Sequence, residues 1–216
     1  PAANSRIYSS HALADRKGRY VLYWMQQAQR IRYNPAISHA IELANVPALA
    51  EELIIRRELS MNYCHYNPGY DTYQAIPLWA RTSLAEHEGD PRERIYPLDK
   101  LENAETDDVC WNAAQIEMMT TGKMHNYTRM YWGKRLISWC ASPEEAFYNA
   151  LYLNNKYHLD GRNANAYAGV AWCFGKHDRP WAQRPVYGSV RYMNANGLNR
   201  KFDMQAYLNK VAAKEF

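Results

Sequence analysis

Apolar residues recur at helical rather than alternating spacing along most of this chain, which predicts a mainly α fold. The exception is Arg19–Met25, an apolar and aromatic run that predicts one buried strand. A helix is predicted over Gln26–Asn45, ending before Pro47. Further helices are predicted over Glu51–Tyr66, Pro77–His87, Thr106–Thr121, Arg129–Cys140, Ser142–Tyr157 and Asp203–Ala213.

Two of the predicted helix ends carry specific signals. Gly122 is placed to close a helix in the left-handed conformation. Ser142 is a suitable N-cap, with Pro143 at the first helical position and Glu145 at the third. From Gly161 onward the chain is rich in Asn, Gly and Pro, which predicts mostly loops before the last helix.

Composition excludes several classes of protein. The 18 Tyr and 7 Trp, against 4 Phe, favour pockets where a ring carries a polar group. The four cysteines form no C-x-x-C pair, which argues against structural zinc and a disulfide scaffold, and no metal is expected. Metalloprotease, NTPase, esterase and classical dinucleotide motifs are absent. Without an apolar run of about 18 residues or a signal peptide, we expect a soluble intracellular protein, in cytoplasm, nucleus or nucleoid.

Charge is concentrated in the last quarter of the chain. The whole chain has a formal net charge of +4, but Arg162–Phe216 holds nine Lys and Arg against three Asp and Glu. Such an excess is typical either of a nucleic-acid surface, when aromatic residues are interleaved, or of a solvated basic face. The interleaved aromatic residues are Trp172, Trp181, Tyr187, Tyr192 and Tyr207.

The stretch Lys123–Trp139 combines an arginine and two tryptophans at helical spacing. Trp132 follows Arg129 by three residues and Trp139 follows seven later, so the two indoles share one helix face, roughly 10 Å apart. Two interpretations remain open from spacing alone. The rings either fill an ordinary core or form an electron path beside a redox cofactor.

Family motifs decide between these interpretations. The chain carries KMHNYTRMYWGKRLISW, SPEEA, YLNNKY, LDGR, AYAGVAW, HDRPW, RPVYGSVRYMN and NRKFD in that order. This series resembles the C-terminal flavin-binding region of class II cyclobutane pyrimidine dimer photolyases, over about Glu51 to Val211. Separately, Tyr20–Asn34 resembles the first strand and helix of the antenna domain in the photolyase/cryptochrome family.

The resemblance implies two regions. Residues 1–49 would be a β-α fragment of an α/β antenna domain, and residues 50–216 a helical FAD-binding and DNA-binding region. In the family these blocks are separated by most of the antenna domain, a linker and the first helices of the flavin domain. Here they adjoin, either in an internally shortened relative or because the interior of a longer polypeptide is absent. The segment that holds the flavin diphosphate is among the missing parts.

The resemblance also implies a flavin site. A reduced flavin ring is negatively charged and needs a fixed cation nearby. Arg129 matches the arginine that pairs with Asp160 across the ring, and Asn154 matches the asparagine that faces flavin N5. The cofactor implied is FAD, active in its reduced form, while an antenna chromophore is not specified.

Three tryptophans match the family's electron path. In that pattern Trp132 lies nearest the flavin, Trp111 in the middle and Trp139 at the surface. Trp132 would give an electron to the excited flavin, and the hole would move outward before recombination. Trp79 matches a tryptophan outside this path and is interpreted as core.

The substrate side is implied in the same way. Glu52 matches the glutamate that hydrogen-bonds a flipped dimer, Trp172 the tryptophan that stacks on it, and Met130 the methionine beside it. Arg191 and Arg200 match arginines that hold the two DNA strands.

Two functions therefore remain. The first is light-driven repair of cyclobutane pyrimidine dimers in double-stranded DNA by a monomeric lyase, through electron transfer from excited reduced FAD. The second is a relative without enzymatic activity, either a flavin photosensor or a damaged-DNA-binding remnant that lost the flavin.

Overall fold

The computed structural model describes residues 55–200 and 203–213. The chain divides into two compact units, 1–59 and 60–216, and only residues 55–59 of the first unit are described. The following predictions lie outside the described residues: the strand Arg19–Met25, the helix Gln26–Asn45, the antenna fragment 1–49, and Glu52.

Helices form the regular structure throughout the described residues, which contain no strand beyond an isolated bridge between Arg184 and Gly188. This confirms the predicted mainly α class. The helices are α1 (Arg57–Tyr66), α2 (Leu78–Glu86), α3 (Leu98–Glu102), α4 (Val109–Thr121), α5 (Asn126–Trp139), α6 (Pro143–Tyr157), α7 (Ala164–Cys173), α8 (Ala195–Asn199) and α9 (Met204–Ala213), with a 3-10 helix at Tyr73–Ala75.

Side-chain caps define the ends of α4. The Asp108 carboxylate accepts the backbone N–H groups of Cys110 and Trp111 at 3.1 and 3.0 Å, so the helix begins three residues after the predicted Thr106. At its other end Gly122 has φ 70°, and its N–H donates to the Met118 carbonyl at 2.9 Å. The predicted glycine stop is confirmed.

The start of α6 is confirmed as predicted. The Ser142 hydroxyl accepts the Glu145 N–H at 3.1 Å, and Pro143 occupies the first helical position. The Glu145 carboxylate in return accepts the Ala141 N–H at 2.9 Å. Two backbone donors at this end are thereby satisfied reciprocally.

The prediction of loops after Gly161 is wrong for α7. Asn163 caps this helix by accepting the Ala166 N–H at 3.0 Å. Its sequence, ANAYAGVAWC, consists almost entirely of small and apolar residues, with no polar stripe. A helix buried on most sides shows no amphipathic period, so periodicity could not reveal it.

The middle of the second unit is α5, which packs against α4, α6 and α7. Its approach to α7 is close because Gly133 has no side chain, and a Cβ there would lie 2.5 Å from Cys173 Sγ. The two indoles of α5 are 2% and 5% exposed, at Trp132 and Trp139. Both interpretations of this stretch are therefore compatible, because rings that fill the core can also carry charge. Trp79 packs against the same core from a partly buried position.

We expect Gly122→Ala to destabilise the fold by about 1–3 kcal/mol. An alanine would be strained at φ 70°, and its Cβ would lie 2.5 Å from Leu159 Cγ. Urea unfolding measures the change in the free energy of unfolding. Gly169→Ala in α7 is the matched control, since no atom lies within 4 Å of its new Cβ, and it should be neutral or stabilising. Equal effects of the two substitutions would contradict this account.

Candidate functional site

Three indoles from two helices form a continuous series. The rings of Trp111 and Trp132 are stacked with centroids 6.1 Å apart and an interplanar angle of 10°. The rings of Trp111 and Trp139 meet edge to face with centroids 5.3 Å apart. Trp111, on α4, is fully buried and lies between the two indoles of α5. The spatial order is thus Trp132, Trp111, Trp139.

The indole N–H groups of the inner pair have buried partners. Trp111 Nε1 donates to the backbone carbonyl of Trp132 at 3.0 Å. Trp132 Nε1 donates to Gln115 Oε1 at 2.9 Å, and Gln115 Nε2 donates to the Glu102 carbonyl at 3.1 Å. These bonds fix both ring planes relative to the backbone of α4 and α5.

The outer end of the series is covered. Trp139, expected at the surface, is only 5% exposed. The Arg135 guanidinium lies 4.4 Å from its ring centroid, and the Tyr96 ring packs edge-on at 5.2 Å. Both residues, with Trp139, line an open cleft of about 280 Å³. Solvent therefore approaches Trp139 through these two side chains.

The positive charge of Arg135, beside Trp139, is balanced by the carboxylate of Asp108. Its Oδ2 lies 3.3 Å from Arg135 Nε and accepts the Tyr131 hydroxyl. Burial, and then the hydrogen bond to this carboxylate, raise the pKa of the Tyr131 phenol. Tyr131 therefore remains protonated.

Arg129 lies in a second cluster, near the N-terminal end of α5 and away from Trp139. Its NH2 group donates to Asp160 Oδ1 at 3.1 Å, as predicted from two motifs 31 residues apart, and to His158 Nδ1 at 2.8 Å. Burial and the Arg129 charge lower the pKa of His158 to about 4. The imidazole is therefore neutral and accepts through Nδ1, so the Gly122 carbonyl 3.3 Å from that atom receives no proton from it.

We expect His158 to make stability depend on pH. Its ordinary pKa is 6.5 and its folded value about 4, so between these values only the unfolded chain binds the proton. Stability should fall by roughly 2–3 kcal/mol as pH falls through this window. Urea unfolding at several pH values measures the effect. His158→Gln keeps an acceptor for Arg129 without titrating, so the stability of the unmodified protein relative to this variant should fall by the same amount between pH 6.5 and 4. A difference that stays constant over this range would contradict the assignment.

The side-chain amide of Asn154 is held in one orientation. Nδ2 donates to the Gly161 carbonyl at 2.9 Å and to Asn155 Oδ1 at 3.1 Å, and the residue is 2% exposed. Among the described residues Oδ1 has no bonded partner. Because the NH2 group is fully used, this amide can offer an acceptor and no donor.

The residues around Arg129 fit an anionic ring system. Arg129 Nε and His158 Nε2 are buried donors without hydrogen-bond partners among the described residues. Together with the Arg129 charge and the Asn154 carbonyl they offer donors and one acceptor in a partly desolvated region. This donor set suits a reduced flavin, whose ring is negative and carries an N–H at N5 that the Asn154 oxygen could accept. Within the described residues no group of His, Cys, Asp and Glu is arranged to hold a metal.

The residues predicted to contact a dimer are only partly described. Trp172, on α7, is half-buried and meets His177 edge to face at 5.8 Å. Met130, on α5, is half-buried and packs against the core beside Arg129. Glu52 lies outside the described residues.

The basic loop after α7 is organised around Trp181. Its Nε1 donates to Asp178 Oδ1 at 3.2 Å, and its backbone N–H to the Ser189 carbonyl at 2.8 Å. The guanidinium groups of Arg191 and Arg179 lie 5.1 and 5.6 Å from its ring centroid. Cations stacked on an exposed indole form a surface suited to nucleic acid. Arg200, also exposed, is the C-cap of α8.

Lys134 adds a buried positive charge behind this loop. It is fully buried, and its Nζ has no hydrogen-bond partner among the described residues. Burial lowers the pKa of Lys134 to about 8, although Cys173 and Asp178 oppose this effect. The side chain thus lies between α5 and the basic loop in a nearly dry environment.

Sequence comparison gives the family. No protein-family model matches the chain. It is 54% identical over 172 residues to a deoxyribodipyrimidine photo-lyase from Methanothermobacter thermautotrophicus, covering 80% of this chain and 39% of that protein. It is 45% identical over 193 residues to one from Oryza sativa, covering 89% and 38% respectively, and 41% identical over 187 residues to one from Potorous tridactylus, covering 86% and 34%.

The chain belongs to the photolyase/cryptochrome family. It spans less than two fifths of the length of these curated relatives. Within the described part of this photolyase-family chain no helix is both long and apolar enough to cross a membrane.

Two side chains of the site escaped sequence reasoning. Gln115 follows Trp111 by one helical turn and is a lone buried amide within the apolar helix α4, a pattern that could have marked it. His158 stands two residues before Asp160, and nothing in its spacing indicates burial or a bond to Arg129. The photolyase-family motifs identified the tryptophans, Arg129 and Asp160, whereas the roles of Gln115 and His158 are seen only from their contacts in the structure.

Proposed function

We propose that this chain is the flavin-binding part of a class II photolyase, which repairs cyclobutane pyrimidine dimers in DNA using light and reduced FAD. The observation that carries the proposal is the continuous series of three indoles, whose inner pair is stacked at 6.1 Å. An ordinary core has no need of such a series. The name shared by the relatives, deoxyribodipyrimidine photo-lyase, supports the same activity.

The proposed cofactor contacts follow from the cluster at Arg129. When bound, reduced FAD would supply the light-driven, reversible one-electron transfer that splits the cyclobutane ring. Arg129 provides the positive charge that stabilises the anionic ring, and Asp160 fixes its guanidinium at 3.1 Å. Asn154 offers Oδ1 to an N–H at flavin N5, since its NH2 group is already bonded to Gly161.

The tryptophans are assigned to photoreduction. Trp132 is the first donor, Trp111 passes the hole outward, and Trp139 receives it next to Tyr96 and the cleft. The repair step itself does not use this path, because it leaves no net change in oxidation state. The two activities can therefore be separated by substitution.

The proposed DNA contacts divide into two groups. Glu52, Met130 and Trp172 are assigned to the flipped dimer, the first as a hydrogen-bonding acid and the others as an apolar wall. Arg191 and Arg200 are assigned to the DNA strands, and their exposure suits phosphate contacts.

The proposal is tested with flavin-loaded protein and an oligonucleotide that contains a single thymine dimer. We expect a yellow protein that splits the dimer into two thymines under blue light and not in darkness, measured by chromatography of the oligonucleotide. A colourless protein that binds the damaged duplex, or a yellow one that leaves it unrepaired, would refute the enzymatic assignment and favour a binding remnant or a photosensor.

A further inference from the structure

The inner indoles donate their N–H groups to the same kind of acceptor. Trp132 Nε1 donates to an amide oxygen of Gln115, and Trp111 Nε1 donates to a backbone carbonyl. Both acceptors are neutral amide oxygens, which accept hydrogen bonds readily but are far too weak as bases to take a proton. No described carboxylate, imidazole or hydroxyl bonds to either indole N–H.

The orientation of Gln115 is fixed by its second bond. Its Nε2 donates to the backbone carbonyl of Glu102 at 3.1 Å, and a carbonyl can only accept. Reversing the amide would place two acceptors together at Glu102 and two donors together at Trp132. Oε1 therefore stays on the indole, in a residue that is fully buried. Water cannot replace it there.

This arrangement matters because oxidation makes an indole acidic. Removal of one electron from Trp132 leaves a radical cation. Its N–H group is a much stronger acid than the N–H group of the neutral indole. Beside a base the proton would leave, and the neutral radical would trap the hole at this position. Beside an amide oxygen the proton stays, and the hole can move by electron transfer alone.

We propose that Gln115 keeps the oxidised Trp132 protonated, so that the hole passes to Trp111 without any proton movement; this rests on the proposed photoreduction. The step is balanced: Trp111 gives one electron to the Trp132 radical cation, Trp132 returns to a neutral indole, and no bond to hydrogen breaks. The stacked rings, with an interplanar angle of 10°, suit this transfer.

The nearby carboxylate of Asp108 is a base that could accept a proton from an oxidised indole, but it does not bond to either indole N–H. Its oxygens accept the backbone N–H groups of Cys110 and Trp111 and the Tyr131 hydroxyl, and one lies 3.3 Å from Arg135 Nε. It bonds to the main chain of Trp111 and to no described indole N–H. The Asp108 carboxylate, although close to the series, is thus bonded to other groups.

The test compares Gln115→Glu with Gln115→Met in flavin-loaded protein that also carries Trp111→Phe, which stops the hole at Trp132. Light-generated radicals are frozen and examined by electron paramagnetic resonance in H₂O and D₂O. We expect an exchangeable N–H coupling in the Gln115 parent and in Gln115→Met, which has no base. Gln115→Glu, with its carboxylate shown to be ionised by infrared spectroscopy, should lose the coupling because the proton moves to the carboxylate.

The same substitutions with Trp111 intact give a second readout. Gln115→Met should retain most hole transfer to the outer indoles, whereas Gln115→Glu should lose most of it. Equal losses in both would mean that Gln115 only supports packing. In protein without flavin, the Trp132 indole N–H resonance should move upfield in Gln115→Met as its hydrogen bond is lost.

The possible failures are distinguishable. If illumination of the unmodified protein produces no tryptophan radical, the photoreduction on which the proposal rests is refuted. If a radical forms at Trp132 but lacks the exchangeable coupling with Gln115 present, photoreduction stands and the role of Gln115 is refuted.

Discussion

Trp132→Phe is expected to abolish photoreduction and to leave repair by chemically reduced protein close to normal. Phenylalanine fills much of the site but is too difficult to oxidise, so the series would begin with a gap beside the proposed flavin. Trp111, at 6.1 Å beyond, would become the first donor at a longer distance. Photoreduction is measured by the bleaching of oxidised flavin under blue light with an external reductant, and repair by dimer loss after dithionite reduction.

Trp79→Phe serves as the matched control. Trp79 is a tryptophan of the same unit that is only partly buried; it packs near Gly175 and lies outside the series. This control should photoreduce normally. Unchanged photoreduction in Trp132→Phe would disprove the assigned path, and simultaneous loss of repair by dithionite-reduced protein would mean that the substitution acts through the fold.

Arg129→Gln is expected to weaken retention of reduced flavin by roughly 10- to 100-fold. The substitution removes a charge-assisted hydrogen bond, for which about 1.5–3 kcal/mol is typical, and leaves the Asp160 carboxylate without its counter-charge. An uncompensated carboxylate beside an anionic ring would repel it. Flavin affinity is measured separately for the oxidised and reduced forms by anaerobic ultrafiltration, with the released flavin quantified by its fluorescence after reoxidation in air.

Arg162→Gln is the matched control, because this arginine is exposed and lies two residues after Asp160 in the same motif. It should retain flavin normally. The effect of Arg129→Gln should be larger on the reduced than on the oxidised form, since charge is the cause. Equal weakening of both forms would indicate that Arg129 acts only through packing.

The sequence predicted helix ends well where a capping residue acts within one turn of the helix. Ser142 and Pro143 begin a helix, and Gly122 ends one, because capping depends on hydrogen bonds between neighbouring residues. The helix Ala164–Cys173 could not be predicted in this way. Its burial is decided by the elements packed around it, including the close contact of Cys173 with Gly133.

The residues of the candidate site likewise fall into those that the sequence predicted and those that only the structure revealed. Spacing placed Trp132 and Trp139 on one helix face, but it said nothing about a ring between them, since Trp111 lies on another helix. Family motifs supplied Trp111 and the pairing of Arg129 with Asp160. Gln115 required the three-dimensional structure, because an amide in a helix becomes meaningful only when its partner is known.

The rings that would carry charge in this protein are also among the largest rings that fill its core. Trp111 and Trp132 are 0% and 2% exposed, so an indole converted irreversibly to a larger, polar product would have no room to move aside. Chemical ageing of the electron path would therefore appear as unfolding rather than as slow loss of activity. The working lifetime of such a molecule would depend on the number of photons it absorbs rather than on elapsed time. Damaged molecules would unfold and so become substrates for degradation.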